Sequence, residues 1–167
     1  MSPETKTQVP AFRVRVATGA DAPVLLALLR QFAEEEESAQ FMLATEPRLR
    51  EALETRLLRA ALVEGPEGAV GFATYTVDFM VWADSRVLRL DDLYVHGRAR
   101  GRGQGVALMR HLAEVAMAEG IPMRWEMRPQ NASARAFYER LGAQARDKSV
   151  FRWMPDAMQR FLAAPGQ

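Results

Sequence analysis

Val95-His96-Gly97-Arg98-Ala99-Arg100-Gly101-Arg102-Gly103-Gln104-Gly105-Val106 decides the fold, because it runs from a strand through a glycine-rich turn into a helix. Glycine at 101, 103 and 105 permits positive φ and leaves no Cβ in the way. Consecutive backbone N–H groups can then close on phosphate oxygens at the positive end of the helix dipole. Arg98, Arg100 and Arg102 add positive charge beside them. No Gly-Lys-Ser/Thr step follows, and the third glycine falls one residue too early for the dinucleotide fingerprint. Nucleotide hydrolysis and hydride transfer are therefore disfavoured.

Upstream of the turn, Leu88-Arg89-Leu90-Asp91-Asp92-Leu93-Tyr94-Val95 belongs to a strand expected over 86–95. Ahead of it, 60–64 and 69–77 read as strands joined by the turn residues Gly65 to Gly68, which makes a hairpin. Phe12 to Ala17 alternates like a half-buried first strand. Asp21 is then expected to cap a helix that has Pro23 in its first turn and an apolar stripe of Val24, Leu25, Leu28, Leu29 and Phe32. This helix runs into Glu34-Glu35-Glu36-Glu37, and a second helix begins near Thr45 with Leu49, Leu53, Leu57 and Leu58 at helical spacing.

Downstream, an amphipathic helix runs from about 104 to Glu119, and Gly120 stops it. A strand over 123–127 follows, then a helix over 132–141 capped by Asn131 and ended by Gly142, then a strand near Ser149 to Trp153. Met158, Phe161 and Leu162 recur at helical spacing in a tail over 155–167, which suits docking on the body or on a second subunit as well as fraying. The pattern is a mixed α/β single domain without repeats or an internal linker.

The 167 residues suffice for one domain with a real core. The absence of cysteine excludes a disulfide framework, a thiolate zinc site and an acyl-cysteine intermediate. His96 and His111 share no metal-ligand spacing, so no metal is expected. A net charge of +1 supplies no global field to draw nucleic acid or an anionic membrane. The polar start over 1–11 lacks the apolar stretch of a signal peptide, and no later stretch is long enough to span a bilayer. A cytoplasmic protein with a flexible N-terminus is the natural expectation.

Arg100 to Gly105 resembles the Arg/Gln-x-x-Gly-x-Gly/Ala motif of the GNAT N-acetyltransferases, in which this loop holds the pyrophosphate of acetyl-CoA. At the family's spacing downstream lies Asn131-Ala132-Ser133-Ala134-Arg135-Ala136-Phe137-Tyr138-Glu139-Arg140-Leu141-Gly142-Ala143, whose ending resembles the family's second motif. The resemblance implies a largely antiparallel sheet splayed in the middle by a bulge, with the acetyltransferase domain over 12–154. It also implies acetyl-CoA as cosubstrate and a homodimer. Leu93, Tyr94 and Val95 would pair by backbone with the pantetheine arm and offer an N–H to the thioester oxygen. Arg100 to Val106, with Gly101, Arg102, Gly103, Gln104 and Gly105 between them, would bind the pyrophosphate, and Asn131, Ser133 and Tyr138 would complete the cofactor site.

In isolation Tyr138 would read as a packing aromatic beside Phe137. In the matched segment it becomes the acid that protonates the departing thiolate. Leu90 to Val95 resembles a strand of the spermidine/spermine branch, which makes Asp91 the acceptor-side carboxylate, acting directly or through water. Asp91 and Asp92 adjoin on one strand and are expected on opposite faces.

A run of carboxylates at a helix C-terminus opposes the dipole, which favours cations there. In the polyamine branch this region lines the acceptor site, which carries over to Glu35 and Glu36, with Arg124, Trp125 and Glu126 opposite. Arg124 would repel a polyamine, so an amino-acid-like amine with both charges fits at least as well. The acceptor expected is a polyamine, diamine or lysine-like amino acid. Peptide, aminoglycoside or other drug amines are the alternative, and a non-catalytic acyl-CoA-binding module is the rival class. Such a module would have no use for the Tyr138 phenol.

Overall fold

The computed structural model describes residues 12–146 and 148–164, so the N-terminal segment 1–11 expected to be flexible lies outside the described residues. These residues form two compact units, one ending at Glu126 and the other beginning at Met127.

The first unit is built on five strands, β1 (Arg13–Val16), β2 (Arg59–Gly65), β3 (Gly68–Met80), β4 (Ser85–Val95) and β5 (Met123–Trp125), hydrogen-bonded in chain order. The first four pair antiparallel and β5 joins β4 in parallel. This is the mixed, largely antiparallel α/β sheet expected from the sequence. Short turns dictate the antiparallel pairs β2–β3 and β3–β4, whereas the parallel pair needs a crossover, supplied by the helix Gln104–Glu119.

The helices of this unit are α1 (Ala22–Glu35), α2 (Glu46–Glu54) and α3 (Gln104–Glu119). On one face of the sheet Leu25 and Leu28 of α1 and Leu53 of α2 bury against Ala60, Leu62, Phe72 and Tyr94. Phe32, Phe72 and Tyr94 pack as an aromatic trio with ring centroids 5.4 to 6.2 Å apart. Strand alternation sends Ala61, Val63 and Ala73 to the other face, where α3 lies and buries Leu108 and Leu112. Gly120 ends α3 with φ +64°, as expected of a residue just past a helix end.

Asp21 stands at the N-cap of α1 as expected, but its side chain makes no capping bond to the helix. Its carboxylate turns back to accept from the Thr18 N–H at 2.8 Å and the Thr18 hydroxyl at 3.0 Å, and it takes two hydrogen bonds from Arg15 at 2.7 and 2.9 Å. A bidentate guanidinium outcompetes a lone helix N–H for a carboxylate. Arg15, also bonded to Glu64, holds the Asp21 carboxyl down from its ordinary 3.8 to about 2. A lowered pKa means stability present above the ordinary value and lost as pH falls through the folded one. Asp21→Asn is therefore expected to cost about 1–2 kcal/mol at neutral pH. Denaturant unfolding at a series of pH values should show the gap to wild type closing between roughly pH 4 and pH 2.

α2 stops at Glu54, short of Leu57 and Leu58, because Arg56 adopts φ +58° and turns the chain into β2. In the second unit, α4 (Ala132–Arg140) and α5 (Pro155–Ala163) form where periodicity placed them. Asn131 caps α4 by accepting the Ala134 N–H at 3.0 Å, and Trp153 packs edge-on against Phe161 at 5.2 Å. The strand expected near Ser149 to Trp153 is absent. A strand exists only by pairing, and among the described residues no ladder involves any after Trp125. No helix among the described residues is long and apolar enough to cross a membrane.

Candidate active site

The ladder between β4 and β5 holds only Leu88, Arg89 and Leu90 against Met123, Arg124 and Trp125. β4 continues to Val95 without that partner, so the sheet opens at Asp91. At the opening lies a cavity of about 150 Å³ lined by Arg89, Leu90, Asp91, Arg124, Trp125 and Glu126.

A bulge sits at the same point. Thr74 of β3 faces Asp92 and the next residue, Tyr75, faces Leu90, which leaves Asp91 as the extra residue of β4. The bulge overturns the expectation that Asp91 and Asp92 point to opposite faces. Asp92 shares a face with Thr74, whose hydroxyl receives the Asp92 N–H at 3.2 Å. Asp91 shares that face through Arg89, 3.5 Å away, which also reaches Asp78 at 3.5 Å. Alternation counts residues along an unbroken pleat, and here the count slips by one.

Burial pushes the Asp91 carboxyl above the ordinary range, with Arg89 opposing. Asp92 is raised by burial and by the charge of Asp91. A raised carboxyl is a better proton acceptor than a solvated one. Arg124 makes no ion pair among the described residues, so the cavity holds a cation without a partner beside the carboxylates of Asp91 and Glu126.

β4 leads into the glycine turn. Gly101 has φ +78° and Gly103 φ +90°, while Gly105 already lies inside α3 without a left-handed backbone. A Cβ at Gly101 would meet nothing within 4 Å, and one at Gly103 only Phe12 Cζ at 3.7 Å. The cradle is therefore open to a ligand. Ala107 is bonded to the Gly103 carbonyl at 2.9 Å, and the N–H groups ahead of it lack an intrahelical acceptor. Gln104 is buried there, its Oε1 without a hydrogen-bond partner among the described residues. These donors and the exposed Arg102 fit a pyrophosphate. Val106 follows, exposed, on the first turn of α3.

Three predicted site residues, Glu35, Tyr94 and Arg100, prove to be one another's partners. Glu35, at the end of α1, accepts the Tyr94 hydroxyl at 2.7 Å and pairs with the guanidinium of Arg100. Arg100 also donates from Nε to the Val95 carbonyl at 2.7 Å and lies over the Tyr94 ring, 5.8 Å from its centroid. The Tyr94 side chain is thus core, 2% exposed, and only its backbone belongs to the open edge of β4 with Leu93 and Val95. Burial and Glu35 push its phenol up to about 12. Glu36 lies half-buried just past α1.

Sequence reasoning missed Arg89 and Gly71. A Cβ at Gly71 would sit 2.5 Å from the Tyr94 carbonyl oxygen, so only glycine lets β3 approach β4 at the far end of the open edge, opposite Val95. The signal was an isolated glycine in a strand.

Asn131, Ser133 and Tyr138 share α4 in the second unit. Tyr138 lies in the second turn, edge-on to Phe137 with centroids 5.1 Å apart, and burial raises its phenol pKa. Among the described residues no cluster of His, Asp and Glu is arranged to hold a metal ion.

Residues 23–143 match the model of the acetyltransferase (GNAT) family. A thialysine N-epsilon-acetyltransferase of Bos taurus is 30% identical over 161 residues, covering 87% of this chain and 94% of the relative. Its Mus musculus counterpart is 29% identical over 162 residues, covering 88% and 95%. Among solved structures, an integron cassette protein from the mobile metagenome of V. cholerae superposes with a TM-score of 0.74 at 23% identity, covering 92% of this chain and 99% of its own. An aminoglycoside acetyltransferase from a soil metagenomic sample gives 0.76 at 17% identity, covering 86% and 95%. These two likenesses show the fold.

Proposed function

Since this chain belongs to the GNAT acetyltransferase family and is an N-acetyltransferase, we propose that it transfers the acetyl group of acetyl-CoA directly to the side-chain amine of a lysine-like amino acid. The observation that carries this reading is the cavity at the sheet opening, where Arg124 stands beside Asp91 and Glu126 without an ion-pair partner among the described residues. An α-carboxylate pairs with Arg124, and the ammonium group is drawn to the carboxylates. The thialysine acetyltransferases, named for the ε-nitrogen of an amino acid, support the same acceptor class. The acidic run at the end of α1 supports a polyamine less well, because Glu35 is already engaged by Tyr94 and Arg100.

Acetyl-CoA, when bound, supplies the activated thioester. The turn from Gly101 to Val106 would hold its phosphates with backbone N–H groups and Arg102, and the edge of β4 from Leu93 to Val95 would align its arm. Asp91 Oδ takes a proton from the ammonium, directly or through water, since an alkylamine with a pKa of about 10.4 arrives charged. By the family resemblance, Tyr138 Oη would hold the proton that the leaving sulfur requires, and Asn131 and Ser133 would contact the cofactor. A cytoplasmic homodimer completes the reading, with exposed Phe151, Phe161 and Leu162 in the second unit as apolar surface for a second subunit to cover.

The test is an amine panel assayed with acetyl-CoA: a lysine-like amino acid, its decarboxylated diamine, a polyamine and an aminoglycoside. The amino acid is expected to have the highest kcat/KM. Arg124→Gln should raise its KM by roughly tenfold, the scale of a lost charged hydrogen bond, and leave the diamine unchanged. A polyamine or aminoglycoside preference in wild type would remove the amino-acid reading.

A further inference from the structure

The contacts at the end of α1 separate two kinds of arginine in the phosphate turn. Arg98 and Arg102 make no ion pair among the described residues. Arg100, in contrast, is held at three places: Nε by the Val95 carbonyl, Nη2 by Glu35, and its plane over the Tyr94 ring. Glu35 is in turn held by the Tyr94 hydroxyl, whose ring is fixed in the aromatic trio of the core. This chain of contacts joins the packed interior to the residue directly before Gly101, where the backbone first turns left-handed.

We propose that Glu35 is a positioning residue for the cofactor site, which fixes the start of the phosphate turn through Arg100 and takes no part in holding the acceptor amine. The proposal rests on the turn binding acetyl-CoA. A guanidinium donating in two directions acts as a bracket, and its planar fork makes that bracket rigid. An ammonium at the same place carries equal charge toward a phosphate but cannot bridge Val95 and Glu35 in one plane. Charge and geometry are therefore separable at position 100.

Calorimetric titration of CoA, with steady-state kinetics for both substrates, tests this. Glu35→Gln and Arg100→Lys are each expected to weaken CoA binding about fivefold, the upper scale of a partly exposed ion pair. The double variant should be no weaker than either alone, as members of one bracket require. The KM for the amine and kcat at saturating acetyl-CoA should stay within about twofold. Tyr94→Phe, which keeps the carboxylate and frees it from the hydroxyl, is expected to weaken CoA about twofold, and it serves if Glu35→Gln fails to fold.

Three results overturn the proposal while leaving the acetyltransferase reading intact. They are wild-type CoA affinity in folded Glu35→Gln, a loss confined to the amine KM, and full affinity retained by Arg100→Lys. Absence of CoA binding by the wild-type protein removes the acetyl-CoA reading itself and the proposal with it.

Discussion

Gly103→Val is expected to abolish measurable CoA binding, a loss of at least about 100-fold, in a protein that still folds. Gly103 holds φ +90° immediately before α3, a conformation that L-residues enter at a cost of about 1–2 kcal/mol. A β-branched side chain is the worst case because its rotamers are already few. Relief comes by rotating the backbone, and that rotation turns the N–H groups at the head of α3 away from one centre. The space beside Gly103 is nearly empty, with Phe12 Cζ at 3.7 Å the nearest atom, so an overpacked core is not the reason. The branched side chain would stand in the cradle itself.

Gly68→Val supplies the control. Gly68 has φ +117° in the β2–β3 hairpin turn and also has open space around it. It should show similar strain in denaturant unfolding and unchanged CoA affinity. Wild-type affinity in folded Gly103→Val would refute the phosphate assignment of the turn.

Tyr138→Phe is expected to lower turnover by roughly 100-fold with CoA affinity little changed, the usual scale for loss of a general acid. The substitution keeps the ring and its edge contact with Phe137, so packing is conserved and only the hydroxyl is removed. Burial raises the Tyr138 pKa, and a raised pKa keeps a phenol protonated to higher pH. The acid form therefore survives while the amine substrate deprotonates. Wild-type kcat/KM should rise with pH through the neutral and mildly alkaline range, without a falling limb below about pH 10. Pre-steady-state measurement of the chemical step is the decisive readout. An unchanged chemical step would return Tyr138 to packing and strengthen the case for a non-catalytic acyl-CoA binder.

Several elements were legible because their cause is local. Gly101, Gly103 and Gly120 mark positions where the backbone must be left-handed, and the structure has positive φ at each. The hairpin from β2 to β3, the span of α3 and the Asn131 cap follow from turn chemistry and periodicity within a few neighbouring residues. Near Ser149 the same reasoning placed a strand that does not form, since alternation describes a strand's faces and cannot supply its partner.

What the sequence alone determined about this protein is its mixed α/β class, the antiparallel hairpin, the left-handed glycine turn and the family resemblance that named the reaction. Each rests on residues within about a turn of one another or on a motif of fixed spacing. Only the tertiary structure decided that Asp91 and Asp92 share a face, because the bulge arises from how β4 pairs with β3. It likewise drew Asp21 to Arg15 and away from the helix, and Glu35 to Tyr94 and Arg100, residues 59 and 65 positions away. A carboxylate takes the best donors that the folded chain brings within reach, and reach is a property of the packed molecule, not of its order along the chain.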